Sequence, residues 1–267
     1  MTEDPRFLRE TVVNVDAAVV GIGSGRWVYI ATQEASDETA RTIMQKHHFD
    51  ILPIVDGANV KQFFRTLRWN DYSVIQRTPV SHRDLLPLTT PIRDVIRGLA
   101  QERRAFYFLT AERMIAGLLS VANLNCRQVG VWLLSLLTEL EVELAAYVTR
   151  HVGEQTLLGE EFVSTRSARA SDIRKRYEQD RARGVDAPLA EYLYLSDFVN
   201  IVARRKFFRL LGYESRDQFL KVFAPIIDLR NAAAHPVRSL VTNEEACADL
   251  WSTLQKVDEV LFALRTA

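Results

Sequence analysis

The chain has 267 residues, 48% of them hydrophobic and 25% charged, a globular composition long enough for two modest domains of about 100–150 residues without disulfide or metal staples. Lys plus Arg and Asp plus Glu stand at 34 each, so no global field draws the molecule to nucleic acid, and any such contact must come from local basic patches. Cys126 and Cys247 are the only cysteines, with no CxxC pair, which argues against structural zinc and fits a reducing cytosol.

In chain order, Met1-Thr2-Glu3-Asp4-Pro5 is acidic and has no apolar core, so no signal peptide is expected. Gly21-Ile22-Gly23-Ser24-Gly25 is glycine-rich like a phosphate loop, but Arg26-Trp27 follows in place of Lys-Ser. It reads as a turn before a strand from Trp27 to Ile30. Ser36 to His47 is a predicted helix with Asp37 and Glu38 in its first turn, and His48 to Gly57 a strand running into an Asp-Gly turn. Val60 to Thr66 pairs back as a hairpin. The same order then recurs. Thr90-Pro91 opens a helix through Leu99, Ala105 to Leu109 is a strand, Glu112-Arg113 a turn, and Met114 to Ser120 the partner strand, an internal repeat of about 60 residues.

This repeat, roughly residues 10 to 129, resembles a pair of CBS modules, the β-α-β-β-α units named after cystathionine β-synthase. The resemblance implies a cleft that binds an adenosine nucleotide such as AMP, ATP or S-adenosylmethionine. The family signature after the last strand is Gly, then Ser or Thr, then Asp three residues on. Here the stretch is Gly117-Leu118-Leu119-Ser120-Val121-Ala122-Asn123, with Asn123 in place of the aspartate, so only one amide oxygen is left to accept from a ribose. Around Thr66-Leu67-Arg68-Trp69-Asn70-Asp71 the first module offers no clean match, so at most one such site is expected. Thr89 or Thr90 would be a further polar contact, and Arg65 and Arg68 phosphate partners. The alternative is a vestigial pair used only for dimerisation.

From about residue 130 the apolar period becomes helical. Trp132, Leu133, Leu136, Leu137, Leu140, Leu144 and Val148 form the seam of a bundle helix, which Glu139, Glu141 and Glu143 make too polar to span a membrane. With no long apolar stretch elsewhere, a cytoplasmic protein is expected. Ser164 to Gly184 carries Arg166, Arg169, Arg174, Lys175, Arg176, Arg181 and Arg183, a solvated face or a candidate phosphate-backbone contact. The other candidate RNA contact is Arg204-Arg205-Lys206 with Arg209, interleaved with Phe207 and Phe208. Helices are predicted over Leu189 to Leu211, Arg216 to Ala234 and Glu244 to Leu264, the last two as an antiparallel pair in an up-and-down bundle.

The segment from Asp228 to Pro236 places Arg230, Asn231 and His235 at one helix end. Pro236 stops the helix near His235, where the negative pole of the macrodipole favours an imidazolium and Asn231, one turn earlier, can orient the ring. A histidine that moves a proton and a guanidinium that holds phosphoryl oxygens suit cleavage of an RNA phosphodiester by its own 2′-hydroxyl, with no cofactor required. One histidine cannot be base and acid in the same step, so a second copy across a two-fold axis would complete the site.

Arg230, Asn231 and His235 match the RNxxxH form of the motif of HEPN domains, which the helical stretch from about 130 to 267 resembles. The resemblance implies a metal-independent ribonuclease working as a homodimer, with Arg230 and His235 catalytic and Asn231 orienting; in other HEPN-like domains such a cluster only fastens a dimer. The expected architecture is therefore α+β: a CBS-like pair over 1–129 sensing a nucleotide, then an all-α HEPN-like bundle over 130–267. The competing expectation is a non-catalytic regulator that binds a partner protein. HExxH, ligand-spaced carboxylates and a nucleophile elbow are absent from the sequence.

Overall fold

A computed structural model of the chain describes residues 13–57, 59–68, 70–112, 114–153, 168–235 and 239–267. Among these residues strands and helices are interspersed as far as Ser120 and only helices follow, a mixed α+β fold. Proximity along the backbone divides it into two units: Val13–Trp132 with Ser239–Trp251, and the described part of Leu133–Arg238 with Ser252–Ala267.

The first unit holds α1 (Ala17–Val20), β1 (Ile22–Gly23), β2 (Ile30–Ala31), α2 (Asp37–His47), β3 (Ile51–Asp56), β4 (Asn59–Arg68), β5 (Asp71–Pro79), β6 (Leu85–Pro87), α3 (Ile92–Gln101), β7 (Phe106–Ala111) and β8 (Met114–Ser120). They form two four-stranded sheets, ordered β2-β3-β4-β5 and β1-β8-β7-β6. In each sheet a helix crosses over between parallel strands, β2 to β3 through α2 and β6 to β7 through α3, and a hairpin follows. A shift of 55 in residue number carries Ile51–Asp56 onto Phe106–Ala111 and the start of β4, Asn59, onto Met114. It also carries the bulge between Ile54 and Val55 onto that between Leu109 and Thr110. The repeat is thus 55 residues, shorter than the sequence suggested, because its strands pair in one fixed register.

Local chemistry explains the boundaries. The Ser36 hydroxyl caps α2 by accepting from Thr39 N (3.1 Å), and His48 ends it in the left-handed conformation (φ 56). That conformation at His48 is why β3 begins at Ile51 and not at His48. The expected strand from Trp27 shrinks to Ile30–Ala31, and the glycine-rich segment forms β1 and a turn closed by Arg26 N to Gly23 O (2.9 Å). Strand β5 was not anticipated: it is an edge strand with no fully buried residue, so it lacks an alternating apolar signal. Of the residues named above, Trp69, Arg113 and Pro236 lie outside those described, as do Met1–Pro5 and Ser164 to Ser167 with Arg166; the side chain of Arg169 is not described either.

α2 buries Ala40 and Met44 against Ile30, Leu52, Ile54 and Phe64 of the first sheet. A second cluster joins the sheets through Ile51, Val60, Phe63, Phe106 and Phe108. The rings of Phe63, Phe106 and Phe108 meet edge to face, with centroids 5.2–5.5 Å apart. Each such side chain contributes about 1.5–3 kcal/mol by leaving water.

The helical elements are α4 (Arg127–Val152), α5 (Ala168–Ala182), α6 (Leu195–Arg205), α7 (Arg216–Ala234) and α8 (Glu244–Thr266). α4 buries Leu133, Leu137, Leu140, Leu144, Tyr147 and Val148, and α6 packs on α7. The glutamates of α4 have partners: Arg265 of α8 meets Glu139 and, at 2.9 Å, Glu143, while Glu141 accepts from Leu195 N. The helix expected over Leu189 to Leu211 is broken. Leu189–Tyr192 and Phe207–Arg209 are 3-10 turns, and Lys206 stops α6 in the left-handed conformation (φ 61). No described helix is long and apolar enough to cross a membrane.

Candidate functional site

Among the clefts beside the shared core of the first unit, two hold residues expected to bind a ligand. The first, about 270 Å³, is lined by Arg26, Trp27, His48, Phe49, Asp50, Ser120 and Asn123, among others. Trp27 stands edge-on to Phe108 (87° between ring planes), and Phe49 stacks on His47 at 5.4 Å, so two rings border the opening. Ser120 ends β8, and its N–H and hydroxyl both donate to Asn123 Oδ1, at 2.8 and 2.9 Å, starting a 3-10 turn over Val121–Asn125. The oxygen of Asn123 is therefore already engaged, and its amide is left as a donor. Asp50 presents a carboxylate in its place; its Oδ1 accepts from Thr66 Oγ1 (2.8 Å) and Asn70 N (2.9 Å), leaving Oδ2.

The second cleft, about 390 Å³, is polar. Arg65 and Arg68 of β4 line it, with Arg103 and Arg104 after α3, against Asp50, Asp84, Glu102 and Glu244. Arg104 donates to Asp84 (2.9 Å) and to Glu102. Burial alone would raise the Asp84 carboxyl, but the Ser81 hydroxyl and amide, then Arg104, outweigh it and hold it below the ordinary range. Ser81 and Asp84 make the same cap that Ser120 and Asn123 make. A Ser-x-x-Asp spacing is visible in the sequence, but it lies beyond the unanticipated β5 and was missed. So the expected ligand residues separate: Ser120 and Asn123 border one cleft, Arg65 and Arg68 the other, and Thr89 and Thr90 in the turn before α3 border neither. Trp27, Asp50, Arg103 and Glu244 join the clefts without having been singled out for them.

In the helical unit α7 ends at Ala234, as Pro236 led one to expect, and His235 leaves the helix with φ −114 and ψ 87. Asn231 and His235 are exposed. Arg230 is partly buried, its Nη2 3.9 Å from Glu141 Oε2, while Glu141 Oε1 accepts from Leu195 N at 2.7 Å. Among the described residues no hydrogen bond joins the side chains of Asn231 and His235, so the expected orienting contact is not made.

Because α6 stops at Lys206, the cations read as an RNA contact do not share one helix face. Arg204 and Arg205 close α6, Lys206 is its cap, and Arg209 sits in the next turn. Arg204, Lys206 and Arg209 are exposed, Phe208 is buried on Phe219, and Phe207 lies 5.5 Å from His151. In α5, Arg174 pairs with Glu178, and Asp180 pairs with Arg183 just past the helix end. Among the described residues no group of three His, Cys, Asp or Glu side chains is gathered to hold a metal ion. Cys247 is buried, which pushes its thiol up to about 11. Comparison of the chain with models of known families, with curated proteins and with solved structures gave no match.

Proposed function

We propose that this chain is a ligand-responsive effector: the tandem unit binds an adenosine nucleotide, and the helical unit, as a homodimer, is a metal-independent endoribonuclease. The observation that carries the reading is the exposure of His235 and Asn231 at the C-terminal end of α7, with Arg230 in the same turn. There one copy's imidazole can deliver a proton to the leaving 5′-oxygen, while the partner copy's imidazole takes the proton of the 2′-hydroxyl. Arg230 steadies the charge that grows on the phosphoryl oxygens, with its guanidinium 3.9 Å from Glu141. The likeness to HEPN and CBS sequences supports this division of labour. In the first cleft Trp27 and Phe49 offer faces to a base, Ser120 and Asp50 polar partners to a ribose, and Arg26 a cation to phosphate; AMP, ATP and S-adenosylmethionine are the ligands to try.

One observation favours a non-catalytic regulator instead. Arg230 is already drawn toward Glu141, which is what a residue that fastens an interface would do. The deciding experiment is cleavage of a mixed single-stranded and structured RNA pool in EDTA, with and without those nucleotides. Products ending in 2′,3′-cyclic phosphate, with rates lowered about 10²- to 10⁴-fold in His235→Ala and also reduced in Arg230→Ala, are expected. Intact RNA under every condition would transfer the assignment to the regulator.

A further inference from the structure

The two clefts occupy equivalent places in the repeat, so their chemistry is comparable position by position. The shift of 55 carries His48 and Phe49 of the first cleft onto Arg103 and Arg104 of the second, and carries Arg65 of the second onto Ser120 of the first. The backbone is shared at these points. His48 and Arg103 are both left-handed (φ 56 and 49), and Phe49 N to Met44 O matches Arg104 N to Leu99 O, both 2.9 Å. An imidazole, a phenyl ring and a hydroxyl in one cleft thus face three guanidinium groups in the other.

Of these, Arg104 is engaged by Asp84 and Glu102. Arg65, Arg68 and Arg103 are exposed, and their side chains hold no hydrogen bond or ion pair with a described residue. The carboxylate that faces them comes from far along the chain. Asn125 clamps the segment before α8: its Oδ1 accepts from Leu240 N (2.7 Å) and Val241 N (2.9 Å), and its Nδ2 donates to Val241 O (2.7 Å). Cys247, buried near the Ile96 carbonyl, fixes the first turn of α8. Glu244 is thereby held half-buried in the cleft, close to Arg65 and Asp50. Burial, then the charge of Asp50, push its carboxyl above the ordinary value, and Arg65 pulls it back only in part.

We infer that the charged cleft is a separate binding site for a phosphate-class oxyanion, and that Glu244 stands in for that anion in the free protein. Planar guanidinium groups that line one cleft from two segments of the chain suit such an anion with paired N–H donors. An arriving dianion meets repulsion from Glu244, so binding is coupled to protonation or withdrawal of that carboxyl. The remaining carboxylates oppose binding less: Asp84 and Glu102 are compensated by Arg104, and Asp50 is bonded to Thr66 and Asn70. This site requires neither the nuclease nor the adenosine reading.

The test is calorimetric titration of the full chain with sulfate, which stays a dianion from about pH 5 to 8, and with inorganic pyrophosphate. Binding is expected to weaken about tenfold or more in Arg65→Ala and in Arg103→Ala, and to tighten about tenfold in Glu244→Gln. Lys221→Ala, exposed on α7 and lining neither cleft, leaves it unchanged. Wild-type affinity for sulfate rises as pH falls, since the raised Glu244 carboxyl takes up its proton first, and Glu244→Gln loses that dependence. Displacement of pyrophosphate by ATP would identify the anion as a nucleotide's phosphate chain, and lack of displacement a free oxyanion. No binding by wild type or Glu244→Gln, or binding indifferent to both arginine variants, overturns the inference.

Discussion

Strand β3 of the first repeat reads Ile51-Leu52-Pro53-Ile54, and strand β7 of the second reads Phe106-Tyr107-Phe108-Leu109; all eight side chains are buried. The repeats agree in register, in the bulge, in the left-handed residues at 48 and 103 and again at 57 and 112, and in the bond back to the residue before the hairpin's first strand, Thr66 N to Asp50 O and Val121 N to Ala105 O. They disagree in side-chain volume and charge. Backbone pairing and caps therefore set the architecture, and side chains were free to make one cleft aromatic and the other ionic. The flanks differ too, since β4 is covered by β5 whereas β8 is covered by β1.

The largest test of this asymmetry is Phe108→Ala. Phe108 is fully buried and touches the rings of Trp27, Phe63 and Phe106, so truncation leaves a cavity and costs about 3–5 kcal/mol. Its counterpart Pro53 has a smaller side chain and none of these ring contacts, so Pro53→Ala should cost much less. Urea denaturation of the two variants measures the difference; equal losses would mean that the second repeat contributes no more than the first to the join between the sheets.

A smaller effect is expected at the flank. A Cβ at Gly117 would stand 2.8 Å from the Ile22 carbonyl oxygen, a backbone atom that moves only if β1 moves. Gly117→Ala should cost about 1–3 kcal/mol and speed amide exchange at the short β1–β8 pairing. The equivalent residue is Gln62, whose side chain accepts from Arg77 Nε across to β5. Gln62→Ala should change stability by no more than about 0.5 kcal/mol. A harmless Gly117→Ala would show that β1 is not held by close approach.

Much of the backbone was legible in the sequence, because caps and turns are local. Ser36 before Asp37, Asp56-Gly57, and Pro236 after His235 announce their boundaries by their own chemistry, and the limits expected for α7 are those observed. What was not legible depends on contacts distant in sequence. An edge strand such as β5 carries little apolar signal, and nothing near Lys206 announces a left-handed break inside a run of good helix formers. The clefts show the same limit: Arg65, Arg68, Ser120 and Asn123 were found by type, but their separation into two clefts follows from the pairing of β3 with β4 and of β7 with β8. Glu244 reaches its cleft only through Asn125, more than a hundred residues away, a contact that no spacing rule exposes.

The finest comparison uses the left-handed residues that end the two crossover helices. An L-residue there is strained by contact of its Cβ with the backbone, which glycine avoids, although glycine gives back part of the gain through a freer unfolded chain. His48→Gly should therefore stabilise the protein by up to about 1 kcal/mol in thermal unfolding, and so should Arg103→Gly if the repeats are equivalent at this point. Arg103 differs in facing the ionic cleft. Removing its charge leaves the Glu244 carboxylate with one cation fewer in the cleft, so its gain should be the smaller of the two at neutral pH. Below the raised Glu244 carboxyl that group is neutral, and the two gains should converge. If they remain unequal there, the difference lies in the backbone, and the two helix ends are not the equivalent structures that their dihedral angles describe.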